Sequence, residues 1–148
     1  MKTFILMSLI GFNILYAQVP IAPPPPTVTQ EDVRNQIAFA SLNWYIGESL
    51  LPNILVGYRD TTTDIDNDVK GGSASVSYNL KENKFDQLKI VGITGNTDIV
   101  GEVGVGYSLY QKQFFGNLGV QGFYMNSGLD YSLDNKFGYY IGLTTVDD

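Results

Sequence analysis

Along most of this chain large apolar residues alternate with small or polar ones, in short segments that follow an apolar N-terminal stretch. The clearest case lies at 99–109, where Val103, Val105, Tyr107 and Leu109 interleave with Glu102, Gly104, Gly106 and Ser108. A period of two gives a strand one apolar and one polar face, so the sheet it joins borders two different environments. Eight such runs stand out, at 37–46, 53–59, 73–80, 85–94, 99–110, 115–125, 129–133 and 137–146. Between them lie turn signals: Leu51-Pro52, Lys81-Glu82-Asn83-Lys84, Gly95-Asn96, Gln111-Lys112-Gln113, Asn126-Ser127-Gly128 and Asp134-Asn135-Lys136. No long internal repeat stands out, which argues against a propeller or solenoid.

The composition of the two faces indicates what each one borders. Ala74, Val76, Tyr78 and Leu80 oppose Ser73, Ser75, Ser77 and Asn79, while Phe137, Tyr139, Ile141 and Leu143 oppose Gly138, Tyr140, Gly142 and Thr144. A soluble barrel or sandwich turns its large apolar face inward and covers the outside with charge. Here the second face is mainly Gly, Ser, Asn and Thr, which suits a cramped interior and a lipid exterior. The expected fold is therefore all-β, a small antiparallel up-and-down β-barrel of about eight strands. Tyr45, Tyr58, Tyr78, Phe85, Tyr107, Tyr110, Phe114, Phe115, Tyr124 and Phe137 fall near strand ends, where amphipathic rings would meet lipid headgroups.

The N-terminus sets the compartment. Lys2, a mainly apolar run and Leu15-Tyr16-Ala17 before Gln18 read as a signal peptide at 1–17, too short in its apolar part to span a bilayer as a helix. The region 18–35 contains Pro20 and Pro23-Pro24-Pro25-Pro26 and reads as a stiff exposed leader. A short helix is expected within 27–39, with Thr29 as cap and Glu31 and Asp32 in its first turn. The barrel domain is assigned to 36–148.

Composition then removes several function classes. With no Cys there is no disulfide framework, thiolate metal site or lipoprotein anchor. With no His, the commonest general base and zinc ligand are missing, so no enzyme and no cofactor are expected. Nine basic side chains against fifteen acidic ones argue against nucleic acid as a partner, since phosphate binding needs clustered Lys and Arg.

Two constellations merit weighing. Asp64, Asp66 and Asp68 alternate in the acidic connection 60–71 and resemble the start of a calcium loop, but the sixth and twelfth places hold Val69 and Ser75 instead of Gly and Glu. A solvated acidic loop is the better reading, with the three Asp as weak metal candidates. Arg59, Glu102, Gln121 and Asp130 come from different strands and are expected to point inward as a lumen network. Buried charges need partners, so the network plugs the lumen in preference to lining a selective pore.

The signal-like start, the absence of Cys, the aromatic strand ends and runs such as Ile54-Leu55-Val56-Gly57-Tyr58-Arg59 and Gly104-Val105-Gly106-Tyr107 resemble the small outer-membrane β-barrels of Gram-negative bacteria, including the opacity-type and porin-like proteins. The resemblance covers 37–146. It implies membrane lipid as a partner, an extracellular or envelope protein as another, and roles from adhesion to narrow pores to envelope anchoring. An exported soluble barrel or sandwich, periplasmic or secreted, is the alternative.

Two features depart from that class. The chain ends Thr144-Thr145-Val146-Asp147-Asp148 without a terminal aromatic, so either the sequence stops early or insertion uses another signal. The long acidic connection 60–71 would also share a side with both termini in an eight-stranded barrel, whereas long loops normally face outward. A seven-stranded count would move it to the other side.

Overall fold

The structure, a computed structural model, describes residues 31–146. The expected signal peptide, the proline-rich segment and the last two residues lie outside the described residues. Eight strands follow one another: β1 (Val33–Tyr45), β2 (Asn53–Thr63), β3 (Asp68–Asn79), β4 (Lys84–Asn96), β5 (Val100–Ser108), β6 (Gln113–Gly122), β7 (Met125–Ser132) and β8 (Phe137–Thr144). Each pairs antiparallel with its sequence neighbour, and β8 returns to β1 to close a barrel. All eight expected strands are present, and the seven-stranded alternative is overturned.

The register defines the shape. Partners traced once around the barrel run Asn35, Thr61, Gly71, Ile93, Glu102, Gly119, Gly128, Tyr140 and back to β1 at Tyr45, a shear of ten residues. With about 3.3 Å per residue and about 4.8 Å between strands, that shear tilts the strands by about 40°. A bulge between Ser77 and Tyr78 adds a residue to β4 and sharpens the local twist.

Several boundaries differ from those read in the sequence. Val33–Phe39 is the first half of β1 and not helix, because β2 runs on to Thr63 and offers it a continuous ladder, Val33 opposite Thr63 through Phe39 opposite Gly57. Pairing across strands outweighs local capping signals here. The Phe39 ring lies over Gly57, where a Cβ would collide with it. The acidic stretch 60–71 is likewise mostly strand, leaving only a four-residue turn at 64–67. The conflict between a long loop and the terminal side of the barrel thereby disappears.

The β6–β7 turn is also displaced. It falls at Phe123 and Tyr124, both with positive φ (52° and 59°), and not at Asn126-Ser127-Gly128. Two bulky left-handed residues cost about 1–3 kcal/mol each, yet the earlier turn lets Gly119–Gly122 pair with Met125–Gly128. Those extra ladder bonds fix the turn where local propensity disfavours it.

The first and last strand ends of the described residues and the turns 64–67, 97–99 and 123–124 share one end, the terminal end. The connections 46–52, 80–83, 109–112 and 133–136 share the other, the loop end. Large apolar side chains of the alternating pattern face outward: Val103 and Val105 are each 61% exposed and Ile90 is 66%. The interior is less uniformly slim and polar than its sequence pattern suggests. Val69, Val91, Ile93 and Val100 form a buried apolar cluster, and Leu55, Phe115 and Tyr140 also turn inward.

Glycine placement tests this two-faced arrangement. A Cβ on inward Gly104 would overlap the Ile90 carbonyl and Val91, whereas one on outward Gly116 meets nothing within 4 Å. Gly104→Ala should destabilise the barrel by about 1–3 kcal/mol, and Gly116→Ala should change it by less than about 0.5 kcal/mol. Reversible urea unfolding of the refolded barrel measures both.

Candidate functional site

The lumen gathers most of the buried polar chemistry of the described residues, because the period-two pattern turns one residue in two inward. Arg59 on β2 is 2% exposed, and its Nη1 stands 3.6 Å from Glu102 Oε1 on β5 and 3.4 Å from Gln121 Oε1 on β6. Three of the four expected network residues thus meet. Asp130 on β7 does not join them.

Asp130 organises a second cluster nearer the loop end. Its Oδ1 accepts from Asn117 Nδ2 at 2.6 Å and lies 3.5 Å from Lys89 Nζ, while Oδ2 accepts from the Tyr45 hydroxyl at 2.7 Å. Lys89, 8% exposed, also lies 4.8 Å from the Tyr140 ring centre and 5.8 Å from that of Phe115. A buried ammonium therefore has a carboxylate and two aromatic faces around it, which together offset its lost hydration. Tyr45 and Phe115, expected near headgroups, are lumen residues.

Between the two clusters the free space is a cavity of about 20 Å³, room for about one water molecule. At the loop end the lumen opens into a cup of about 530 Å³ whose floor includes Asp130, Tyr45 and Phe115 and whose walls carry Asn53, Asp86, Gln87 and Tyr110. Glu48 stands at its mouth. Shielding from water, with Asp86 and Asp130 close by, raises its carboxyl above the usual carboxylate range, and Lys81 opposes the shift. On the rim the Lys136 ammonium, 3.2 Å from Asp134, holds that exposed carboxyl below its ordinary value.

Asp64, Asp66 and Asp68 serve the β2–β3 turn. Asp64 Oδ1 accepts from the backbone N–H groups of Asp66 and Asp68, each at 3.0 Å, which closes the turn in the manner of an Asx motif. Among the described residues no group of three or more acidic side chains is arranged to hold a metal ion.

Sequence reading missed Lys89, Asn117 and Tyr140. Lys89 lies between outward Leu88 and Ile90, a spacing that marks it as inward, but the bulge separates Phe85 from Leu88 by three and breaks the alternation that would have shown it. A hairpin motif at the loop end was missed as well. Tyr78 opposes Phe85, Tyr107 opposes Phe114 and Tyr131 opposes Phe137, with ring centres 5.3, 5.0 and 4.7 Å apart. Tyr78 donates to Asn83 at 2.7 Å, and Tyr131 likewise donates to Asn135. The segments Tyr-Asn-Leu-Lys-Glu-Asn-Lys-Phe, Tyr-Ser-Leu-Tyr-Gln-Lys-Gln-Phe and Tyr-Ser-Leu-Asp-Asn-Lys-Phe are variants of one turn unit. The unit is a single hairpin tip, too short to register as a long repeat.

The Asp130 cluster makes a direct prediction. Asp130→Asn keeps an acceptor for Tyr45 but leaves Lys89 without its counter-charge, and should cost about 3 kcal/mol or more. Adding Lys89→Met to that variant should restore part of the loss, as read by the same unfolding equilibrium. A cycle in which Lys89→Met is equally harmful in both backgrounds would show that the two are not coupled. Comparison with known proteins adds no name to this site: no family model, no curated protein and no solved structure matches the chain.

Proposed function

We propose that this chain is a non-enzymatic outer-membrane β-barrel of a Gram-negative envelope, with a plugged lumen and a structural or adhesive role carried by its loop end. One observation carries the reading. From Ala38, Tyr58 and Gly72 at one level to Phe85, Phe114 and Phe137 at the other, no outward-facing strand position bears a charge, and the large side chains there are widely exposed. A water-soluble surface rarely exposes contiguous apolar patches beyond a few hundred Å². Hydrocarbon is the solvent that such a belt fits.

Supporting features agree with it. Strands of 8–13 residues tilted by about 40° match what a bilayer core requires. The Tyr–Phe pairs form a girdle at the loop end, with two Tyr hydroxyls turned to turn residues, as amphipathic rings at a headgroup layer would be. Outward charges on strands, Arg34, Asp60, Asp68 and Lys70, occur only at the terminal end beyond the belt. The longest connection, 46–52, lies at the loop end, which this reading places outside the cell, with both termini in the periplasm. The cavity of about 20 Å³ between the clusters favours a plug over a pore.

Arginine scanning tests the belt. Val103→Arg or Val105→Arg should cost about 2–4 kcal/mol in a bilayer, while Ile65→Arg or Leu133→Arg, in turns, should cost about 1 kcal/mol or less. Equal penalties at belt and turn positions, or a mature chain that stays monomeric and folded without detergent, would falsify the membrane reading.

A further inference from the structure

We infer that the loop-end cup is a binding site for a neutral saccharide unit. The inference builds on the reading of this end as the one that meets the outside, and it rests on three features of the cup itself. First comes size: about 530 Å³ falls within the range of small-ligand sites, about 300–1,000 Å³, and a mono- or disaccharide fits it.

The second is the lining. Asn53, Gln87 and Gln111 present carboxamides and Asp86 a carboxylate, while Tyr110 and Phe115 present rings. Asn53 Nδ2 donates to Asp86 at 3.1 Å, so a planar amide and a planar carboxylate stand side by side. Such pairs offer donor and acceptor at the spacing of adjacent sugar hydroxyls, each of which both donates and accepts. Lys84 Nζ sits 3.8 Å from the centre of the Tyr110 ring and fixes that ring at the rim, where a flat C–H face can lie against it.

Charge selects neutral over ionic ligands. Asp130 is matched by Lys89 and Asp134 by Lys136, Asp86 keeps its charge beside the Asn53 amide, and Lys81 stands with Glu48 and Glu82 on the wall. The small acidic excess that is left repels anions, and the paired charges leave a polycation little to hold. A ligand that gains here must do so by hydrogen bonds and ring contact.

The third feature is where the variation lies. The three hairpin tips keep their Tyr and Phe, which set the scaffold, but differ just after the shared Leu: Lys81-Glu82, Tyr110-Gln111 and Asp134. The first two pairs line the cup. The varied pairs of two tips thus reach the cavity beside the shared Ser108, Ser132 and Phe137, on a repeated hairpin frame of the kind that carries recognition side chains.

The test is saturation-transfer NMR on the full barrel folded in a non-glycosidic detergent, with glucose, galactose, mannose, N-acetylglucosamine, cellobiose, lactose and chitobiose as probes and spermidine and citrate as charged counterparts. At least one neutral sugar should receive saturation. Tyr110→Ala, in an exposed turn, and Asn53→Ala should each weaken that binding about tenfold, with folding checked by circular dichroism. A second arm presents the same glycans on glycolipids in vesicles. Binding in both arms, or in the vesicle arm alone, supports the site and tells a free sugar from a lipid-borne glycan. No binding of any sugar in either arm, binding that both variants leave unchanged, or preference for spermidine or citrate overturns it. The detergent arm needs only a folded barrel, so its failure is distinct from failure of the arginine scan.

Discussion

Closure of β8 onto β1 is the constraint from which the other features follow. A sheet of eight strands with a shear of ten has one possible width, and its interior holds side chains and little else. Whatever faces inward must fit, and whatever charge faces inward must find a partner there. Gly57, Gly104 and Gly106 occupy inward places where a neighbouring ring or carbonyl leaves no room for a Cβ. The large side chains excluded by this crowding are displaced to the outer face, so the apolar belt and the narrow lumen are two results of one geometry.

The same closure explains why the charges are grouped as they are. Inside a lumen with about 20 Å³ of free space at its centre, an ion cannot keep its hydration, and it persists only beside an opposite charge or a ring of donors. Arg59 is answered by Glu102 and Gln121, and Lys89 by Asp130 with the faces of Tyr140 and Phe115. Two separate clusters result because Arg59 and Asp130 lie at different heights on the tilted ladder. Hydrogen bonds from Asn117 and Tyr45 to Asp130 also tie β6, β7 and β1 together across the seam, so the plug stiffens the closure that made it necessary.

Much of this was legible in the chain. Period-two alternation located all eight strands, because one-sided burial enforces it, and it put Val103 and Val105 outward and Arg59, Glu102 and Gln121 inward together. Boundaries were less legible. The helix at 27–39 and the acidic loop at 60–71 were misread for one reason: β1 and β2 extend each other by pairing, and neither segment carries that information alone. At Phe123-Tyr124 the ladder placed a turn where residue preference opposed it. Lys89 escaped notice because the bulge at Ser77 and Tyr78 shifts the phase of β4, and a phase shift is invisible to any reading that assumes strict alternation.

The two ends of the barrel differ in a way that follows from how each is finished. At the terminal end β1 to β4 run on past the shorter β5 to β8, and the extra length carries Arg34 in a two-pronged contact with Asp60, with Gln36 on the same carboxylate. Charge is tolerated there because these residues lie beyond the apolar belt. At the loop end the strands finish level, in three hairpins that share a Tyr–Phe pair and one longer connection that does not. A repeated tip yields a ring of aromatics at constant height, and only a boundary that is itself flat rewards that regularity. The aromatic ring and the uncharged belt beneath it are therefore two independent supports for the planar interface proposed above, one set by turn chemistry and the other by strand alternation.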